Sequence, residues 1–308
     1  MPGWSPKRKS VGPRAFTSRG GRGNRPLPCW IRKHAFNNNF AFYSLILYIE
    51  RMRKNNRGMD QLRPFNIQLD YLKYPDGSVL MEMGDTKVIC TITMEERVPS
   101  FAQSQGKGWI TSEYSMIPGS SDSRIQRDVS RGRQPGRSHE IQRMIGRVLR
   151  SVTDLTAIPE RTLWVDCDVL QADGGTRTAA INGSFVALNL AFLKFLQTGD
   201  IVRWPLRDFL GAASVALVGG EILLDPDYSE DSRAEVDFNL AATGAQQLIE
   251  VQGTAEGHPY SLDVFKEILE TGMDGIDRII ALQKNLLADH FAALKPHHRA
   301  LIPEEYVA

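Results

Sequence analysis

The stretch Gln171-Ala-Asp-Gly-Gly-Thr-Arg-Thr178 is where residue types and spacing most clearly suit chemistry. Two adjacent glycines let a backbone bend sharply and come close to a ligand. Arg177 adds a cation whose planar fork suits phosphate. Thr176 and Thr178 add hydroxyl donors. Ahead of the stretch, Leu163, Val165, Cys167 and Val169 alternate with Trp164, Asp166, Asp168 and Leu170, the period of a half-buried strand. Behind it, Ala179 to Leu196 is dense in Ala, Leu and Phe and long enough for a helix. The glycines and Thr-Arg therefore sit where a strand turns into a helix. The free N–H groups of a helix start, with the dipole behind them, attract an anion. A Gly-Gly turn alone is most often only a turn. With Thr176 and Arg177 at a helix start, it reads as a phosphate cradle.

A second cation belongs to the same reading. Ser138 to Val152 carries Ile141, Met144, Ile145, Val148, Leu149 and Val152 as one apolar helical stripe. Arg137 stands at its start, where a cation is unfavourable unless an anion comes too. It is a candidate second clamp on phosphate. Arg143, Arg147 and Arg150 fall opposite the stripe and read as a solvated face or a contact to another subunit.

Two carboxylates complete the set. Ala234 to Leu240 alternates, with Val236, Phe238 and Leu240 toward a core and Glu235, Asp237 and Asn239 away from it. Asp231 precedes Asp237 at the strand's start. Acids near a strand end are most often surface groups, yet such a pair could hold Mg²⁺.

Net charge is +1, but residues 1–57 hold thirteen Lys or Arg against Glu50 alone, so the remainder carries −11. Any nucleic-acid surface on that acidic body must be a local concentration of arginine. Arg124, Arg127, Arg131, Arg133, Arg137, Arg143, Arg147 and Arg150 lie close in sequence, opposed only by Asp128 and Glu140. A solvated loop is the plain alternative; the one-sidedness favours a polyanion footprint. Cys29, Cys90 and Cys167 lack metal spacing; Cys90 and Cys167, in apolar strand patterns, read as buried free thiols, which fits a reducing compartment.

The remaining elements must position these groups. Phe65 to Leu72, Ser78 to Met83 and Lys87 to Met94 read as an antiparallel meander with turns at Pro75-Asp-Gly77 and Gly84-Asp85. Residues 99 to 136 read as a long connection. Short strands follow at Ser214 to Val218, Glu221 to Leu224 and Leu248 to Gln252. Ser261 to Leu294 reads as two helices broken at Gly272 and Gly275. The tail from Pro296 reads as loose, with His297 and His298 exposed. Residues 1–35 are rich in Gly, Pro, Arg and Ser without apolar period and read as disordered. Phe40 to Ile49 is apolar but too short to span a membrane.

Several segments share one further likeness. Asp60-Gln-Leu-Arg-Pro64, Gly77-Ser-Val-Leu80, Gly84-Asp-Thr-Lys-Val-Ile-Cys90, Gly106-Lys-Gly-Trp109, Glu113-Tyr-Ser-Met116, Glu140-Ile-Gln-Arg143, Asp166-Cys-Asp-Val-Leu-Gln-Ala-Asp-Gly-Gly-Thr-Arg-Thr178 and Val251-Gln-Gly-Thr-Ala-Glu-Gly257 resemble the ribonuclease PH family, in its order, over residues 52 to 290. The resemblance implies an α/β (α+β) sandwich of the ribosomal-protein-S5-domain-2-like kind, with mixed sheets and helices in a single RNase PH domain. It implies a cytoplasmic phosphorolytic 3′→5′ exoribonuclease acting on tRNA precursors and other RNA 3′ ends, and a homohexamer built as a trimer of dimers, with no membrane partner. Inorganic phosphate would be co-substrate and Mg²⁺ the cofactor. The family's phosphate site carries over onto Arg137, Gly175, Thr176 and Arg177. Its catalytic, metal-associated aspartates fall on Asp231 and Asp237, and its RNA loop on Arg124, Arg127 and Arg131. Members often carry arginine after the proline at Pro118, where this chain has Gly119. Residues 52–294 would form the domain and 295–308 a tail. Residues 1–51 would be an added extension or upstream sequence, since Met52-Arg-Lys-Asn-Asn-Arg-Gly58 resembles the family's beginning. A non-catalytic ring subunit would lack some of these residues, and a hydrolytic nuclease would not need phosphate.

Overall fold

The computed structural model describes residues 53, 56–103, 105–127, 130, 132 and 136–307. The expectations for residues 1–51, Arg131 and Arg133 lie outside the described residues.

The expected meander forms as β1 (Phe65–Leu69), β2 (Gly77–Met83) and β3 (Thr86–Glu95), paired antiparallel. β1 stops three residues short of the expected Leu72 because Asp70 turns the chain at φ 50°. Residues 99 to 136 are not one long connection. They hold a short helix, α1 (Ser100–Gln103), and a strand, β4 (Trp109–Met116). The inward face of β4 is Ile110, Ser112 and Tyr114, and Ser112 interrupts the apolar alternation that would have revealed it. Its hydroxyl is satisfied by donating to the Gln142 carbonyl at 2.5 Å. β4 pairs parallel with β5 (Thr162–Gln171), giving a first sheet in the order β1-β2-β3-β5-β4.

The second sheet is antiparallel, in the order β7-β6-β8-β9, from β6 (Leu210–Val218), β7 (Glu221–Leu224), β8 (Val236–Thr243) and β9 (Leu248–Ala255). Between the sheets lies α3 (Thr176–Thr198), against β2 and β3 on one side and β6 on the other. α2 (Gly136–Val152) packs beside it on β4. α3 is apolar all round, as a helix enclosed on every side must be. By length and composition alone it could cross a membrane, but 94% of its most apolar window is buried inside this fold. A four-residue helix, α4 (Tyr228–Asp231), leads into β8.

The region expected as two helices is one, α5 (Leu262–Ala292), packed on β6 and β8. Gly272 and Gly275 do not break it. A Cβ at Gly272 would come within 2.1 Å of Leu240 Cδ1, and one at Gly275 within 2.6 Å of Leu224 Cδ1. The glycines let the helix sit directly on the sheet.

The tail is not loose either. It forms α6 (Pro296–Arg299) and α7 (Glu304–Val307), with Ile302 and Tyr306 buried. The Tyr306 ring stacks on Phe209 at 4.6 Å and its hydroxyl donates to Asn189 Oδ1 at 2.6 Å. His297 is exposed as expected and His298 half-buried. Burying two such side chains is worth about 3–6 kcal/mol together. Removal of residues 296–308 is therefore expected to cost about that much, read from the urea midpoint. An unchanged midpoint would show that the tail contributes nothing.

Candidate active site

β5 ends at Gln171, and the chain turns through Gly174 (φ 78°) and Gly175 (φ 62°) before α3 begins. Both values fall in the left-handed region, which side chains disfavour. At Gly174 a Cβ would also lie 2.5 Å from the Pro226 carbonyl oxygen. Gly175 caps α3 without any side-chain acceptor, and the first turn holds no acid. Its N–H groups are thus left to an incoming anion. The first turn of α2, where Arg137 stands, also lacks an acid.

A scaffold fixes this turn. Thr86 Oγ1 donates to the Gly174 carbonyl at 2.6 Å and accepts from Asp173 N–H at 2.9 Å. Arg63 donates to the carbonyls of Asp173 and Gly174. Its guanidinium also forms a buried bidentate pair with Asp225, at 3.0 and 2.6 Å. The Tyr114 hydroxyl donates to Thr176 Oγ1 at 2.9 Å and orients it.

α4 is held from below. Asp227 and Glu230 form a capping box at its start. Arg53, nearly fully buried, donates to both Glu230 carboxylate oxygens at 2.8 and 2.9 Å. Burial alone would raise the Glu230 carboxyl; hydrogen bonds from Arg53 and the Asp227 backbone hold it below its ordinary value. The pair anchors the helix that carries Asp231.

Arg137, Gly175, Thr176, Arg177, Asp231 and Asp237 all line one cleft of about 450 Å³. Sequence reasoning expected these six residues to act together, and the fold brings them together. Burial pushes the Asp231 carboxyl up, the charge of Asp237 adds to this, and Arg137 and Arg177 pull it partly back. Burial likewise raises Asp237, against the pull of Arg177 and Arg137 and a hydrogen bond from Asn239. Both arginines therefore act on both acids. Arg177 Nη1 donates to Gln252 Oε1 at 2.8 Å, a neutral partner that orients it without cancelling its charge. Among the described residues no group of three or more His, Cys, Asp or Glu could hold a metal. The two carboxylates suit Mg²⁺, which takes one or two carboxylates and completes its shell with waters and substrate oxygens.

The remaining arginines lie elsewhere. Arg124 and Arg127 are exposed on the segment after β4 and do not line the cleft. Arg127 instead faces Asp168, partly opposing the upward shift that burial gives that acid. Gly119 is exposed with open space where a side chain would stand. Arg147 makes a bidentate pair with Glu250 of β9 at 2.9 and 2.8 Å. Arg150 donates to the Ile110 carbonyl at 2.7 Å and stacks 4.4 Å over Trp109. Arg143 and Arg147 are exposed, as a solvated face would have them, while Arg147 and Arg150 also find partners within their own chain.

Residues 61–194 match domain 1 of the 3′ exoribonuclease family, and residues 208–275 match its domain 2. The chain belongs to the 3′ exoribonuclease family. It is 54% identical over 238 residues to Ribonuclease PH of Moorella thermoacetica, covering 77% of this chain and 95% of that relative. It is 51% identical over 239 residues to Ribonuclease PH of Bacillus cereus, covering 77% and 98%. The Archaeoglobus fulgidus exosome, solved with RNA bound to the active site, shares the fold. Its TM-score is 0.63 at 22% identity, over 77% of this chain and 95% of that one.

In this member of the family, the sequence did not reveal a polar chain joining cradle to acid. Thr178 Oγ1 lies 3.2 Å from Ser214 Oγ, which donates to Asn239 Oδ1 at 3.0 Å; Asn239 Nδ2 in turn donates to Asp237 at 3.3 Å. Asn239 was accessible in principle, being two residues from Asp237 on one strand face. Ser214 was not, because only the β6–β8 register sets it opposite Asn239.

The raised Asp237 carboxyl has a consequence for stability. A folded pKa above the unfolded one means the folded protein binds the extra proton between the two values. The ionised group thus lowers stability as pH rises through that window, fully so above the folded pKa. Asp237→Asn is expected to melt above wild type at pH 7 in calorimetry, with the advantage shrinking as pH falls toward the ordinary carboxylate range. A lower melting temperature at pH 7 would contradict this.

Proposed function

We infer that the protein is a phosphorolytic 3′→5′ exoribonuclease that trims the 3′ ends of tRNA precursors. The observation that carries this reading is the meeting of Arg137, Arg177 and an acid-free helix start with Asp231 and Asp237 in one cleft. The identity above 50% to proteins named Ribonuclease PH supports it.

Orthophosphate is held by Arg137, Arg177 and the N–H groups at the start of α3, with Thr176 beside them. Its oxygen attacks the phosphorus of the last phosphodiester in line. A P–O–P bond forms, the bond from phosphorus to the preceding 3′ oxygen breaks, and that oxygen takes up a proton. A nucleoside 5′-diphosphate leaves, and the shortened RNA keeps a 3′ hydroxyl. Positioning and charge neutralisation suffice without a covalent enzyme intermediate. Mg²⁺ on Asp231 and Asp237 would supply positive charge to the phosphoryl oxygens. Asp237 is also assigned to assist proton transfer to the leaving oxygen.

Arg124, Arg127 and Arg131 are assigned to RNA binding, which counterion release makes steeply salt-dependent. The reading extends to a homohexamer, supported by a fold shared with the archaeal exosome core. It extends also to the cytoplasm, where the free thiols Cys90 and Cys167 would stay reduced.

Incubation of a short 3′-tailed RNA with Mg²⁺, with and without phosphate, tests the reaction. Nucleoside diphosphates should appear only with phosphate; monophosphates without it would identify a hydrolytic nuclease. Arg177→Ala should lose about a hundred- to a thousandfold in kcat, or roughly 3–4 kcal/mol, as when one transition-state donor is removed. Near-normal turnover would overturn its assignment.

A further inference from the structure

Tyr228 lines the same cleft as the arginines and the acid pair, yet the reaction just described leaves it without a role. It stands at the first position of α4, one helical turn before Asp231, so the two side chains emerge on the same face. Its side chain has no hydrogen bond or ring partner among the described residues, and the residue is 59% exposed. An open aromatic face on a cleft wall is one on which a nucleobase can stack.

The backbone beneath it is rigid. Tyr228 N–H donates to Asp173 Oδ1 at 3.2 Å, and a Cβ at Gly174 would lie 3.1 Å from Tyr228 N. The cradle and the start of α4 thus touch directly. Arg53, on Glu230, fixes the same helix from its buried side. The ring is presented by a preorganised support on the cradle's flank.

We propose that Tyr228 is the platform on which the base of the 3′-terminal nucleotide stacks while its phosphodiester meets the bound phosphate. The proposal rests on the phosphorolytic reading. Once orthophosphate occupies the arginines, the scissile phosphodiester lies beside Asp231, and the departing nucleotide must extend toward a cleft wall. Among the described residues lining the cleft, Tyr228 is the one aromatic, a helical turn from Asp231. Base–aromatic stacking tolerates every base, since each has a π-face. That suits an enzyme that must remove whichever nucleotide comes last.

The test compares an RNA ending in an ordinary nucleotide with one ending in an abasic ribose, for wild type, Tyr228→Phe and Tyr228→Ala, each confirmed folded by its melting temperature. Wild type should lose about tenfold in kcat/KM on the abasic end, mainly through KM, the size expected of one stacked base. Tyr228→Phe should behave like wild type. Tyr228→Ala should show that tenfold loss on the ordinary RNA and no further loss on the abasic one. A 3′-terminal 2-aminopurine should be quenched on binding wild type without phosphate, and not on binding Tyr228→Ala. An abasic penalty that persists in Tyr228→Ala, or a Phe variant as impaired as Ala, would overturn the proposal while leaving phosphorolysis intact. Absence of phosphate-dependent turnover by wild type on ordinary RNA would overturn the underlying reading itself.

Discussion

Asp231 and Asp237 are carboxylates held partly out of water, and they share a cleft with Arg137 and Arg177. Each acid is pushed up by burial, and each is drawn back by the same two guanidiniums. That mutual adjustment of charge is the constraint on which the site depends. Phosphorolysis must bring a free phosphate against a phosphodiester, two anions that repel. With the acids alone the cleft would reject both. With the arginines alone, the divalent cation proposed for this site would have no seat. The two sets of charge work only at close quarters, on elements that cannot drift.

The fold supplies that rigidity through buried ion pairs that brace the elements of the cleft. Arg63 and Asp225 tie the glycine turn to the loop before α4, and Arg53 and Glu230 tie α4 to the chain ahead of β1. Such pairs contribute little net stability, because desolvation offsets most of their attraction, but losing one partner leaves a buried charge unpaired. Here they hold each backbone segment in one place. The chain from Thr178 through Ser214 and Asn239 to Asp237 extends the same control from α3 across β6 and β8 of the second sheet. A site tolerates only small errors in position, so the supporting shell matters as much as the groups that touch substrate.

Much of the site was legible in sequence because its signals are local. The alternation from Leu163 to Leu170, the glycine pair and Thr-Arg all lie in one short run, and Asp237 sits in a clear period-two strand. What escaped is what depends on partners far away in the chain. Ser112 masks β4 because its hydroxyl is satisfied by a helix some thirty residues on. Gly272 and Gly275 look like breaks until Leu240 and Leu224 are seen pressed against them. Tyr306 reads as part of a polar tail until Phe209 and Asn189 close over it. In the arginine run, the helical stripe set Arg137, which lines the cleft, apart from Arg147 and Arg150, but that those two brace other elements of the same chain needed the fold.

The most direct test is a crystal of the protein soaked in orthophosphate. The charge balance described here places the anion within hydrogen-bond reach of both Arg137 and Arg177 and of the N–H groups that open α3. Phosphate found elsewhere, with those two guanidiniums turned away from each other and only water between them, would contradict it.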